Sequence, residues 1–178
     1  MPRNSSSTEN IYFGSLKGTP LGEIWLATTE KGLAAVHWAK NQSSFEAYLV
    51  NRFDRPILRN DVEISRAAKQ IKEYLTGKRT AFQLEIDWSL MRPFQQKVLR
   101  ITCSIPYGET RTYSDIAHQL GNPRAARAVG HAQATNPLPL IVPCHRVIGV
   151  DGKLHGYGAG KGLPTKEWLL LKEGAVMA

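Results

Sequence analysis

Of the two cysteines in this sequence, Cys103 and Cys144, only the second is followed at once by a histidine and an arginine. A thiol becomes a nucleophile when a nearby base or positive charge favours its thiolate, and His145 and Arg146 bring both types to Cys144. The preceding run Leu140-Ile141-Val142 is apolar, and Pro143 forces an extended approach that presents the cysteine. Adjacency alone does not create contact, because neighbours on a strand point to opposite faces. An inert buried thiol is the commoner fate of a lone cysteine, and Cys103 is read that way, as a packed core residue. A working pair also needs a third group to orient the imidazole. Glu173 is a candidate, since it ends a helix whose dipole disfavours a carboxylate there, although Lys172 beside it can offset that field. The cysteines have no CxxC or HxxxH companion, which argues against a cysteine-type metal site and a disulfide framework.

Several elements must position these groups. Thr112 and Asp115 form a T-x-x-D capping pattern, followed by Tyr113, Ile116, Ala117 and Leu120 at helical spacing and by Gly121 as a stop. Asn122 is expected to cap a second helix with Pro123 in its first turn, which makes a helix-turn-helix. That second helix carries small residues, Ala125, Ala128, Val129 and Ala132, on one face and Arg124, Arg127 and His131 on another. Small side chains permit close docking and the basic face suits phosphates; a tightly packed structural helix with a solvated basic face fits equally well. Pro93 opens an earlier helix through Phe94, Val98 and Ile101, broken by Ile105-Pro106-Tyr107-Gly108. Thr165 is expected to cap the last helix, with Trp168 to Leu171 as its apolar bulk and Gly174 as its end.

The first half alternates short β-rich segments with helical ones. Ile11 to Leu16, Gly22 to Thr28 and Leu33 to Trp38 read as strands, with Glu30-Lys31-Gly32 as a hairpin turn. Ser44 to Phe53 and Ser65 to Leu75 read as helices, and Thr80 to Leu90 as an irregular connection. The 178 residues carry 23 Lys+Arg against 15 Asp+Glu, a formal net charge of +8, which favours a polyanionic partner, nucleic acid first. No window approaches the ~18 consecutive apolar residues of a membrane span, and no signal peptide is evident, so a cytoplasmic location is expected. Gly156, Gly158, Gly160 and Gly162 surround Lys161 without the GK[ST] of a phosphate loop and read as a flexible rim.

The ordered set Phe94-Gln95, IPYGE at 105–109, NPRAARAVG at 122–130, NPLPLIVPCHRV at 136–147, Gly156-Tyr157 and KEWLLLKEG at 166–174 resembles the O6-alkylguanine-DNA alkyltransferase family. The resemblance implies that Cys144 takes an alkyl group from O6 of guanine and keeps it. It implies that His145 accepts the thiol proton through a water, that Glu173 orients His145, and that Asn136 braces the turn before Cys144. Arg127 would fill the space of the flipped nucleotide, Tyr113 would turn the phosphate and stabilise the leaving guanine, and Arg124 and Asn122 would help hold the DNA. Carbonyls of Cys144 and Val147 and the amide of Gly158 would read the base. The helix-turn-helix would enter the minor groove of duplex DNA. No cofactor is needed, because the lesion is the donor, and the protein is expected to act as a monomer, with cooperative binding along DNA left open.

The expected fold is α+β. Residues 1–10 form a flexible N-terminus, and 11–90 a domain with a small antiparallel sheet and helices. Residues 91–178 form a mainly helical domain with the helix-turn-helix and a short active-site strand or loop. Leu99 stands where the family usually has Trp, the 157–164 loop is somewhat long, and the N-terminal zinc ligands of some members are absent. The rivals are a non-catalytic alkylated-DNA-binding protein, which would lack the reactive cysteine, and a thiol hydrolase, which leaves the basic helix-turn-helix unexplained. A transcriptional regulator is weaker, for want of a second DNA-binding module.

Overall fold

Strand β1 (Ile11–Leu16) sits inside a sheet because its neighbours in sequence and a strand far along the chain both pair with it. The computed structural model describes residues 9–175. Strands β1, β2 (Ile24–Thr29) and β3 (Gly32–His37) form an antiparallel meander. Helix α1 (Gln42–Arg52) leads to β4 (Ile57–Arg59), which pairs parallel with β1 and completes the order β3-β2-β1-β4. The sheet is therefore antiparallel with one parallel edge, a strand the sequence reading omitted. Glu9 pairs with Arg55 at 3.0 Å and the amide of Ile11 donates to Pro56, so the end of the expected flexible stretch is anchored; residues 1–8 lie outside the described residues.

Alternation along β2 divides the interior. Trp25 and Ala27 join Ile11, Phe13, Phe45 and Leu49 under α1, while Ile24 and Leu26 face the opposite side. There they meet Ile71 and Leu75 of α2 (Ser65–Leu75) and a continuous core reaching Val98, Leu99, Ile116, Val129, Leu140 and Leu169. At Gly32, with φ of +135°, a Cβ would stand 2.5 Å from the Glu85 carbonyl, so only glycine lets the connecting segment run past the hairpin.

The second half is built of short helices: α3 (Pro93–Cys103), α4 (Tyr113–Gln119), α5 (Ala126–Ala134) and α6 (Leu163–Lys172). The capping box at Thr112 and Asp115 is present, with the Asp115 amide donating to Thr112 Oγ1 at 3.0 Å and the Thr112 amide to Asp115 Oδ2 at 2.7 Å. Two expected caps are corrected. A 3-10 turn, Pro123–Ala125, precedes α5, so the Asn122 carbonyl rather than its side chain accepts from Ala125. Helix α6 starts at Leu163 after Gly162, and Thr165 Oγ1 accepts instead from the Lys161 amide at 2.9 Å. Strand β5 (Arg111–Thr112) pairs parallel with β6 (Val147–Ile148), tying the entrance of α4 to the segment after Cys144. The Val36 amide donates to Pro137 at 2.8 Å, tying the sheet to the segment before it. No described helix is long and apolar enough to cross a membrane.

Candidate active site

Asn136 organises the approach to Cys144 with one amide group. Its Oδ1 accepts from the Leu138 amide at 2.9 Å, and its Nδ2 donates to the Val142 carbonyl and to Cys144 Sγ, each at 3.1 Å. Within this loop Leu140 is buried with φ of +75°, a left-handed conformation that is costly for a leucine and is held by the surrounding packing. Cys144 then lies in a 3-10 turn, Cys144–Arg146, and the strand begins only at Val147. The extended presentation expected from Pro143 is thus a tight turn. Cys144 and His145 are both buried.

Behind the turn lies a closed polar cluster. His145 Nε2 is 2.8 Å from Glu173 Oε1, the Arg146 guanidinium grips both carboxylate oxygens at 2.8 and 2.9 Å, and the Gly108 amide donates to Oε2 at 3.2 Å. The hydroxyl of Tyr74, from α2, donates to Glu173 Oε1 and stands 3.3 Å from His145 Nε2. Burial would raise the Glu173 carboxyl, but the bonds from His145 and Arg146 prevail and hold it well below the usual carboxylate range. Burial pushes the His145 imidazole down against the pull of Glu173, which favours the neutral ring. Burial also raises the Cys144 thiol, opposed by the Asn136 bond and the positive charge of Lys166. The net upward shift favours the protonated thiol. His145 Nδ1 is buried with no partner among the described residues.

On the solvent side a cleft of about 600 Å³ opens onto Cys144. Tyr113, Arg127 and Gly130 form one wall and the loop through Tyr157 and Gly158 the other. Lys166 is fully buried beneath it, donating to the carbonyls of Val147 at 2.6 Å and His155 at 3.0 Å. Desolvation pulls its ammonium down to about 8.

Of the sequence-expected residues, Cys144, Tyr113, Arg127 and Gly158 meet around this cleft, while His145, Glu173 and Asn136 support it from within. Arg124 and Asn122 are exposed on the turn before α5 and do not line the cleft. Val147 is buried away from it, its carbonyl already engaged by Lys166. Cys103, expected in the core, is exposed at the end of α3. Tyr74 and Lys166 were missed as site residues, and so was the grip of Arg146 on Glu173. Lys166 lies four positions before Leu170 on the apolar side of α6, a signal that could have marked it as buried. Among the described residues no group of three or more His, Cys, Asp or Glu could hold a metal ion.

Residues 93–175 match the family model described as 6-O-methylguanine DNA methyltransferase, DNA binding domain. Residues 11–88 match the one described as 6-O-methylguanine DNA methyltransferase, ribonuclease-like domain. A methylated-DNA–protein-cysteine methyltransferase of Methanosarcina barkeri is 43% identical over 163 residues, covering 92% of this chain and 97% of the relative. One from Methanosarcina acetivorans is 41% identical over 157 residues, covering 88% and 95%. The Mycobacterium tuberculosis O6-methylguanine methyltransferase structure superposes with a TM-score of 0.77 at 37% identity, covering 92% of this chain and 93% of that one. A structure of the M. tuberculosis OGT in complex with DNA gives 0.75 at 38% identity, covering 92% of each chain. The chain belongs to the 6-O-methylguanine DNA methyltransferase family.

Proposed function

We infer that this protein repairs O6-alkylguanine in DNA by transferring the alkyl group, a methyl group in the simplest case, irreversibly to its own Cys144. The observation that carries this reading is a buried thiol at the floor of a cleft, walled by a basic helix-turn-helix and backed by a His145–Glu173 pair. A base stacked in a duplex cannot be attacked, so the lesion must be flipped out at a cost of roughly a few kcal/mol. Arg127, exposed at the cleft mouth, would fill the gap it leaves. Of the small face expected to dock on DNA, Ala125, Val129 and Ala132 pack into the protein core instead. Close approach of α5 to the minor groove would therefore fall to Ala128, which is exposed, and to Ala126 and Gly130 at the cleft. Arg124 and Asn122, on the exposed turn, would contact phosphates outside the cleft.

Cys144 sulfur then attacks the alkyl carbon. A C–S bond forms, the C–O6 bond breaks with its electrons going to guanine, and the thiol proton passes through a water to His145 Nδ1, with Glu173 holding Nε2. Tyr113 hydrogen-bonds the guanine as charge develops; burial keeps its hydroxyl protonated. The Gly158 amide and the carbonyls of Cys144 and Val147 would read the base edge. The Cys144 carbonyl already accepts from the Val147 amide, and that of Val147 from Lys166. Val147 would also have to turn toward the cleft, from which it is buried away. A thioether has no route back to thiol in this site, so each molecule acts once.

The two family matches meet between residues 88 and 93, which supports the division into an N-terminal domain of 11–90 and a C-terminal repair domain of 91–178. The net charge of +8 supports action on DNA as a monomer, since copies repel one another, and we assign its work to the cytoplasm. Incubation with duplex DNA carrying a labelled O6-methylguanine should give one label per protein on Cys144 and none on Cys144→Ala, which still binds DNA. Label released as free product over many turnovers would show a hydrolase instead.

A further inference from the structure

We propose that the groove between α1 and α5 is a second phosphate-contact surface, through which the N-terminal half grips the same duplex that α5 enters. The proposal rests on the DNA-repair reading and extends its footprint. The groove encloses about 870 Å³ and is lined by Tyr48, Asn51 and Arg52 of α1, Arg92 and Phe94 at the start of α3, and His131 of α5. No aspartate or glutamate lines it. Five other arginines, Arg55, Arg59, Arg79, Arg111 and Arg146, each pair with a carboxylate. Arg52 and Arg92 are exposed and have no such partner among the described residues.

The arginine on α1 is also held ready. The Arg52 guanidinium stands 6.0 Å from the Tyr48 ring centroid and 5.8 Å from that of Phe53, at the outer reach of cation–π contact, which limits the freedom it has to lose on binding. Phe94 stays 41% exposed beside Arg92, so the groove floor is open between the two arginines and His131. Continuity decides the occupant. Ala128 and His131 of the groove wall belong to the helix that carries Arg127 at the cleft mouth, so a duplex seated on α5 runs its backbone along this groove. A second copy of the chain fits poorly, because it brings a net charge of +8 to a groove without carboxylates.

The test is a salt titration of binding to a lesion-bearing duplex long enough to pass the groove, and to a second duplex trimmed to the span of α5. Two lost phosphate contacts should lower the slope of log affinity against log salt by about 2 and weaken binding roughly 30-fold near ~0.15 M salt. The double variant Arg52→Ala/Arg92→Ala should show that loss on the long duplex and little of it on the trimmed one. Arg52→Lys/Arg92→Lys should keep the slope, and an unchanged thermal midpoint in the alanine variant excludes misfolding. An unchanged slope on the long duplex would overturn the proposal. So would a variant that loses self-association in sedimentation while its slope stays put, since the groove would then receive a second copy. Failure of the unaltered protein to bind either duplex would instead strike at the DNA reading itself.

Discussion

The two halves of the molecule bury different things. Among the described residues before Met91, the buried polar or charged side chains are Thr29, Gln70 and Asp87, with the Tyr74 hydroxyl, while aromatic and aliphatic groups fill the rest. The second half buries His145, Arg146, Lys166 and Glu173 together within the reach of one turn and one helix. Removing a charge from water costs several kcal/mol even after relaxation, so such a set persists only when its members satisfy one another. Here Arg146 and His145 converge on Glu173, and Lys166 spends its donors on two carbonyls. The first half derives its stability from apolar contact. The second spends part of that stability on groups held at fixed positions around a thiol, and one hydroxyl of the first half, on Tyr74, reaches into them.

The largest expected effect tests whether that cluster depends on its central carboxylate. Glu173→Ala strands a buried guanidinium and should cost about 3–5 kcal/mol in denaturant unfolding, a large share of the ~5–15 kcal/mol of a typical domain. In the first half, Thr29→Val, which removes a buried hydrogen bond to the Asp87 carboxylate but strands no charged partner, should cost about 1.5–3 kcal/mol. The acid limb follows from the same carboxyl. Its native pKa is depressed, so its contribution is present above the unfolded value of about 4.3 and is lost as pH falls through the native one. Glu173→Gln should flatten that limb; equal acid sensitivity in both proteins would show that the cluster is not its source.

Next in size is the hydroxyl that crosses between the halves. Tyr74→Phe removes a hydrogen bond to a charged group, worth about 1.5–3 kcal/mol, with no change in packing volume. Adduct formation should slow roughly tenfold and its pH profile should shift, because Glu173 and His145 lose a shared partner. DNA affinity should stay the same. If rate and profile both match the unaltered protein, the first half contributes only bulk to the site.

Lys166 should matter through charge. Its ammonium supports the Cys144 thiolate below about 8 and loses that influence as it deprotonates. Lys166→Met should move the rising limb of the pH–rate curve upward and slow reaction with free O6-benzylguanine at neutral pH by roughly tenfold, one pKa unit. Stability runs the other way. A lysine with a depressed native pKa leaves the unfolded chain holding more protons between about 8 and its ordinary value, so the unaltered protein should gain stability across that window. A rate curve identical in Lys166→Met would remove the electrostatic role.

Much of the fold is legible in local pattern. Ile11–Leu16 and Ser65–Leu75 read as they stand, because β-branched and aromatic composition marks the first and a four-residue apolar repeat the second. Strand β4 escapes because it is three residues long, with Leu58 and Arg59 exposed, and is made by pairing with a strand over forty positions away. Thr165 looks like a cap by type, but its hydroxyl serves a loop amide that only the fold brings near. At the site, PCHRV and the closing glutamate are visible as residue types. Tyr74 is not, since an aromatic on a helical apolar face reads as core, and its hydroxyl has meaning only against Glu173, 99 residues later. Lys166 is hidden similarly: a lysine beside Glu167 reads as solvated, and its burial follows from how α6 lies under β6.

The smallest effect separates the halves most cleanly, because it perturbs equivalent devices in each. Asn41 caps α1 by accepting from the Ser44 amide at 2.9 Å, and Thr112 caps α4 by accepting from the Asp115 amide at 3.0 Å. Replacing either by alanine should cost about 1 kcal/mol and lower the thermal midpoint by about 2–4 °C. Their consequences for repair should differ. Thr112 also pairs with Ile148 in the β5–β6 ladder and directly precedes Tyr113, so loosening this cap frees a wall of the cleft. Asn41→Ala should therefore leave the rate of duplex repair unchanged, while Thr112→Ala slows it several-fold at the same loss of stability. Equal slowing by both would mean that repair follows overall stability, and that the site is no more sensitive to its own half than to the other.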